Sequence, residues 1–87
     1  MFVRFSRSFS KQFDRAPSYI RGAFNGRLDL FIKNPFHPLL KNHKLNGTLE
    51  KYSSINITGD WRALFCEIEK GNGVRFEMLG THSELYS

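Results

Sequence analysis

At 87 residues, with a net charge of +5 and a pI near 9.7, the chain has room for one domain, since a second core would need roughly 50 further residues. Hydrophobic content of 40% beside 24% charged residues excludes a disordered chain, and no apolar run approaches the ~20 residues of a membrane span. A lone cysteine, Cys66, excludes an internal disulfide, and MFVRFSRSFSK has no apolar stretch long enough for a signal peptide, so a cytoplasmic protein is expected.

In chain order, FVRFS (2–6) alternates apolar and polar and predicts a strand. From Ser8 the period lengthens. Ser10 is placed to cap a short helix through SKQFDRA, with Phe9 and Phe13 on one face. Pro17 suits the first turn of a second helix with the stripe Ile20, Ala23, Phe24, Leu28 and Phe31. Gly22 and Gly26 each weaken that helix by about 1 kcal/mol relative to Ala, so packing must hold it. The two prolines of KNPFHP end it, and residues 34–47 read as an irregular, basic connection.

LEKYSSINI (49–57), WRALFCEIE (61–69) and VRFEML (74–79) then predict three strands, and the short joints TGD and KGNG make them antiparallel neighbours. The expected class is α+β: an N-terminal strand, two helices and a three-stranded antiparallel meander, with the helices on one face of a small sheet. One domain spans 1–87. Nine Phe, three Tyr and one Trp are expected to fill much of its core.

Charge is uneven. Eleven Lys and Arg lie within residues 1–62 against four acids, whereas residues 63–87 carry four glutamates against Lys70 and Arg75. A basic front predicts a polyanion partner, although a solvated basic face with no partner has the same composition.

Taken singly, the polar residues of the second half are ordinary: His43 a loop histidine, Asp60 a turn residue, Arg62 a strand charge, His82 a cap. Asp60 and Arg62, two apart at a strand start, share a face, and meander geometry returns residue 80 beside residue 61, bringing His82 and Tyr86 towards them. An imidazole takes and gives protons near neutral pH, and an arginine offers a fixed fork of donors to a phosphate. Basic residues with exposed aromatics grip single-stranded RNA. Lys41, Lys44, Arg75, Trp61 and Tyr86 are the expected RNA-binding set.

Other chemistries have less support. His37, His43, Cys66 and His82 are possible metal ligands, but no CxxC or HxxxH spacing occurs, so no metal is expected. Cys66 reads as core and not as a nucleophile. No GxGxxG or GxxxxGK[ST] loop is present, and no cofactor is expected.

HKLNG (43–47), ITGDWRALF (57–65), VRFEMLGTHSELY (74–86) and the two-helix segment before them resemble the RelE/ParE superfamily of bacterial toxins, nearest the YafQ-type mRNA interferases. The resemblance covers most of the chain and is most specific in GDWR and GTHSELY. It implies the toxin of a type II toxin–antitoxin pair that cuts mRNA on the ribosome without a metal. The implied partners are mRNA, the ribosome and a cognate antitoxin, in a toxin–antitoxin complex of higher order, with no membrane involved.

The resemblance further implies acid–base or positioning roles for His43, Asp60 and His82, a phosphate contact for Arg62, and a C-terminal aromatic role for Tyr86. Two positions depart from the YafQ-like pattern. Asn56 stands where a histidine precedes the DW pair, and Met78 where an arginine precedes GTH. The alternative within the superfamily is a ParE-like toxin that binds and inhibits DNA gyrase, which has no need of His43, Asp60 and His82.

Overall fold

In the computed structural model, which describes residues 1–86, the order of elements is β1 (Phe2–Phe5), α1 (Arg7–Arg15), α2 (Ser18–Lys33), β2 (His43–Lys44), β3 (Ser53–Asn56), β4 (Trp61–Ile68), β5 (Gly73–Thr81) and α3 (His82–Tyr86). The class is α+β, and the predicted antiparallel meander is present as β3, β4 and β5. It is the centre of a larger sheet. Five strands lie in the order β1-β5-β4-β3-β2, with β1 parallel to β5 and β2 antiparallel to β3, so the sheet is mixed. The two helices carry the chain from β1 on one edge to β2 on the other, and β1 pairs with β5 only once the meander has returned.

Several boundaries differ from expectation for local reasons. Ser6, not Ser10, caps α1: its hydroxyl accepts the Phe9 N–H at 3.0 Å and also donates to the Glu77 carbonyl at 3.0 Å. A cap with a tertiary partner prevails over one without. The strand expected from residue 49 starts only at Ser53, because Gly47–Leu49 forms a 3-10 turn with Gly47 at φ 67°. Within the supposedly irregular 34–47, Pro38–Leu40 makes another 3-10 turn and His43–Lys44 forms β2. The C-terminus is a helix, closed by a reciprocal cap in which the Thr81 N–H donates to Glu84 Oε1 at 2.7 Å and the Glu84 N–H to Thr81 Oγ1 at 3.3 Å.

The core fills the space between one sheet face and the first two helices. Ile55, Ala63, Phe65, Val74, Phe76 and Leu79 from the strands meet Phe9 of α1 and Ile20, Phe24 and Phe31 of α2. Phe76 is its hub: the rings of Phe5, Phe9, Phe24, Phe31 and Phe65 have centroids 5.4–6.1 Å away. Beyond the end of β1, α1 protects the edge of β5, with Gln12 Oε1 accepting the Leu79 N–H at 2.8 Å. None of the described helices is long and apolar enough to cross a membrane.

Candidate active site

Side chains alternate along β4, so with Ala63 and Phe65 in the core, Arg62 and Leu64 take the opposite face. Register sets Asn56 on one side of Arg62 and Gly80 on the other. Gly80 lets the chain turn tightly into α3, since a Cβ there would stand 3.2 Å from Glu84 Oε1 and 3.3 Å from Leu85 Cδ2. The helix is then pinned to the sheet. The His82 backbone N–H donates to the Asp60 carbonyl at 2.9 Å, and the Tyr86 hydroxyl donates to Ser54 Oγ, on a fully buried serine, at 3.1 Å. One turn apart on α3, the His82 and Tyr86 rings meet edge to face with centroids 4.6 Å apart.

Arg62 is oriented by the turn before it. Its Nη1 donates to the carbonyls of Thr58 at 3.0 Å, Gly59 at 3.2 Å and Trp61 at 3.1 Å. Its Nε and Nη2 have no partner among the described residues, and these are the donors an arginine aims at a phosphate.

His43 is fixed from its N-terminal side. Leu40 is fully buried, which anchors the preceding turn by about 1.5–3 kcal/mol. Lys41 then takes a left-handed conformation at φ 47°, and its carbonyl lies 2.8 Å from His43 Nδ1. A carbonyl can only accept, so Nδ1 carries the hydrogen and the neutral ring keeps a lone pair on Nε2.

Lys41, His43, Arg62, His82 and Tyr86, with Leu45 and Asn56, line one open cleft of about 600 Å³. Two imidazoles and two permanent cations face this volume, and none of its lining residues is acidic. The chemistry open to such a site is proton transfer at a bound polyanion.

The remaining expected residues lie elsewhere. The Asp60 side chain is exposed and does not line the cleft; Asp60 acts through its carbonyl, because the turn presents the backbone to His82. Trp61 alternates onto the helix side, where it packs against the core beside Gln12, Ala16 and Leu79. Lys44, next to His43 on a strand, lines an adjoining groove. Arg75 is five residues along β5 from Gly80, about 16 Å away. It pairs with Glu77 at 3.2 Å, and the hydrogen bond and charge of that carboxylate hold its pKa above the usual arginine value.

Leu45, Asn56 and Ser54 were not singled out as site residues. Hairpin register across the TGD turn places Asn56 opposite Arg62, and the T-x-x-E pattern at 81–84 signals the helix that carries His82. Met78 lines a separate groove with Ser6 and Tyr52. No group of three or more His, Cys, Asp or Glu suited to holding a metal ion occurs among the described residues.

No family model and no curated protein sequence matches the chain. Solved structures do. YafQ from E. coli strain BL21(DE3) superposes with a TM-score of 0.81 at 24% identity, over 98% of this chain and 97% of that one. A YoeB/ParE toxin from Agrobacterium tumefaciens gives 0.78 at 20% identity, over 94% and 99%. The toxin–antitoxin complex RelBE2 from Mycobacterium tuberculosis gives 0.67 at 19% identity, over 93% and 96%.

Proposed function

From the premise that this chain carries the toxin fold of the RelE/ParE superfamily, YafQ type, we propose that it is the endoribonuclease toxin of a type II toxin–antitoxin pair and cuts mRNA on the ribosome. The observation that carries the reading is the meeting of His43, Arg62 and His82 in one basic cleft from three distant parts of the chain. A toxin that only binds a protein target has no need of two imidazoles beside a phosphate-directed arginine.

The reaction follows from those groups. His43 Nε2 takes the proton of a ribose 2′-OH as its oxygen attacks the adjacent phosphorus. His82 gives a proton to the departing 5′-oxygen as the P–O bond breaks, leaving a 2′,3′-cyclic phosphate and a 5′-hydroxyl. Arg62, with Lys41 lining the same cleft, stabilises the charge that grows on the phosphoryl oxygens, so the step needs no metal. Tyr86 meets His82 edge to face and sets its orientation. The ribosome supplies the positioning of a flexible substrate, an effect worth several kcal/mol.

The partner follows in kind. RelBE2 was solved as a toxin with its antitoxin, and a cleft without carboxylates suits an acidic antitoxin segment that shields it. The site of action is then the cytoplasm, where translating ribosomes are.

The test compares wild type and His82→Gln by single-turnover cleavage of a defined mRNA on programmed ribosomes, with 5′-end mapping of the products. The variant is expected to lose about 10²–10⁴ in rate while its melting temperature holds, because His82 is exposed. A folded wild-type protein that leaves RNA intact but inhibits DNA gyrase would move the chain to the ParE-like class.

A further inference from the structure

A second groove takes in Lys44 of β2 and the core-face residues Phe31, Phe65 and Val74, and His43 lines both it and the cleft. Phe36 also lines this second groove and, at 76% exposure, is the most exposed of the large apolar side chains among the described residues. A lone surface phenylalanine is unremarkable in itself. The turn that carries this one is held in place. The Phe36 N–H donates to Asn34 Oδ1 at 3.3 Å and the His37 N–H to the Asn34 carbonyl at 3.0 Å, between two prolines. Asn42 Nδ2 donates to the Pro35 carbonyl at 3.0 Å, which ties the Phe36 turn to the segment that presents His43. The backbone that carries the ring is therefore held, which lowers the ordering cost of a contact there.

Charge decides what would lie on it. Lys44 lines the same groove beside His43, and Glu67 is the one carboxylate there. An aromatic face and a cation in one groove, sharing His43 with a basic cleft, are the pairing that grips single strands: the cation neutralises the backbone while the ring takes a base. We infer that Phe36 is a stacking platform for a base flanking the scissile phosphate, with Lys44 against the intervening backbone. Any base has a π face, so this contact positions the strand more than it selects sequence. The inference rests on the RNA-cleaving reading of the cleft.

The test measures wild type, Phe36→Leu and Phe36→Trp on ribosomes programmed with a defined mRNA, and repeats it with an abasic nucleotide on either side of the cut. Phe36→Leu is expected to lower kcat/KM by about 5- to 100-fold, mostly through KM. Phe36→Trp should restore it, all three proteins should melt alike, and one abasic mRNA should erase the difference between wild type and Phe36→Leu. Wild-type kcat/KM in Phe36→Leu overturns the platform and leaves the cleft reading standing. Such a variant that also escapes antitoxin rescue in cells marks the ring as a protein contact and overturns the platform equally. Absence of cleavage by wild type removes both readings.

Discussion

The two faces of the sheet are built from alternate residues of the same strands. On β4, Ala63 and Phe65 enter an aromatic core, while Arg62 between the turn and Ala63 faces the cleft. The inner face is buried and apolar; the outer face, near α3, is open and basic. Burial of rings supplies stability without specificity for a ligand, whereas the cleft displays charges that solvent reaches and that contribute little to folding. Stability and chemistry are therefore separable by mutation, although a one-residue register slip would exchange them.

The largest effect expected from substitution is on the inner face. Phe76→Ala removes the ring that five others contact, a change that costs about 3–5 kcal/mol in packed cores. A domain of this size has a total stability of about 4–13 kcal/mol. The variant should melt far below wild type in a denaturant titration and lose every activity with its fold. His82→Gln is its counterpart, with cleavage lost and the melt retained. A Phe76→Ala protein that melts like wild type would break the division between the faces.

The sequence made the inner face legible because that face is written in periodicity. The β3–β4–β5 meander follows from two short turns, and Ile20, Phe24 and Phe31 occupy the core as their helical spacing predicts. The sheet edges were legible only in part: β1 is expected as a strand, but its pairing with β5 is not. β2 is two polar residues, His43 and Lys44, whose strand character comes from pairing with Ser53 and Ser54 and not from any pattern of their own. The parallel pairing of β1 with β5 joins the first and last strands of the chain and leaves no mark in either segment's own pattern. The cleft was legible in part: side-chain alternation gives Arg62, and meander register brings His82 near it. Trp61, adjacent to Arg62, must by the same alternation face the helices. Arg75 sits on an exposed stretch of strand, but its distance along β5 and its Glu77 partner emerge only from coordinates.

A smaller effect would sharpen the comparison by testing whether the outer face has structure of its own. Tyr86→Phe keeps the ring against His82 and removes the hydroxyl that donates to buried Ser54. An orphaned buried partner costs about 1–3 kcal/mol, and α3 joins the rest of the molecule at few points. The loss should appear as faster hydrogen exchange in residues 82–86, with little change in the global melt, and as a fall in cleavage well short of that of His82→Gln. Unchanged exchange would mean that the Thr81–Glu84 cap and the His82–Asp60 hydrogen bond hold α3 without the Tyr86 hydroxyl.

The smallest effect expected is at Arg75, and it marks where the functional face ends. Arg75 and Arg62 carry the same charge on neighbouring strands, and composition alone assigns both to the polyanion. Geometry separates them. Arg62 spends one nitrogen on turn carbonyls and lines the cleft; Arg75 directs Nε at Glu77, outside it. A cation already paired with a carboxylate adds little field at a distance beyond a Debye length of about 8 Å at physiological salt. Arg75→Gln should therefore leave kcat/KM on programmed ribosomes within about twofold, because a phosphate contact that is never made cannot be lost. Its melt should also match wild type, since exposed ion pairs contribute little. Arg62→Gln, measured in the same assay, should lose activity by orders of magnitude more, because in the proposed reaction its cation is the one that meets the reacting phosphate. Equal losses in the two variants would extend the RNA footprint down the whole outer face and make the cleft only one end of a longer binding surface.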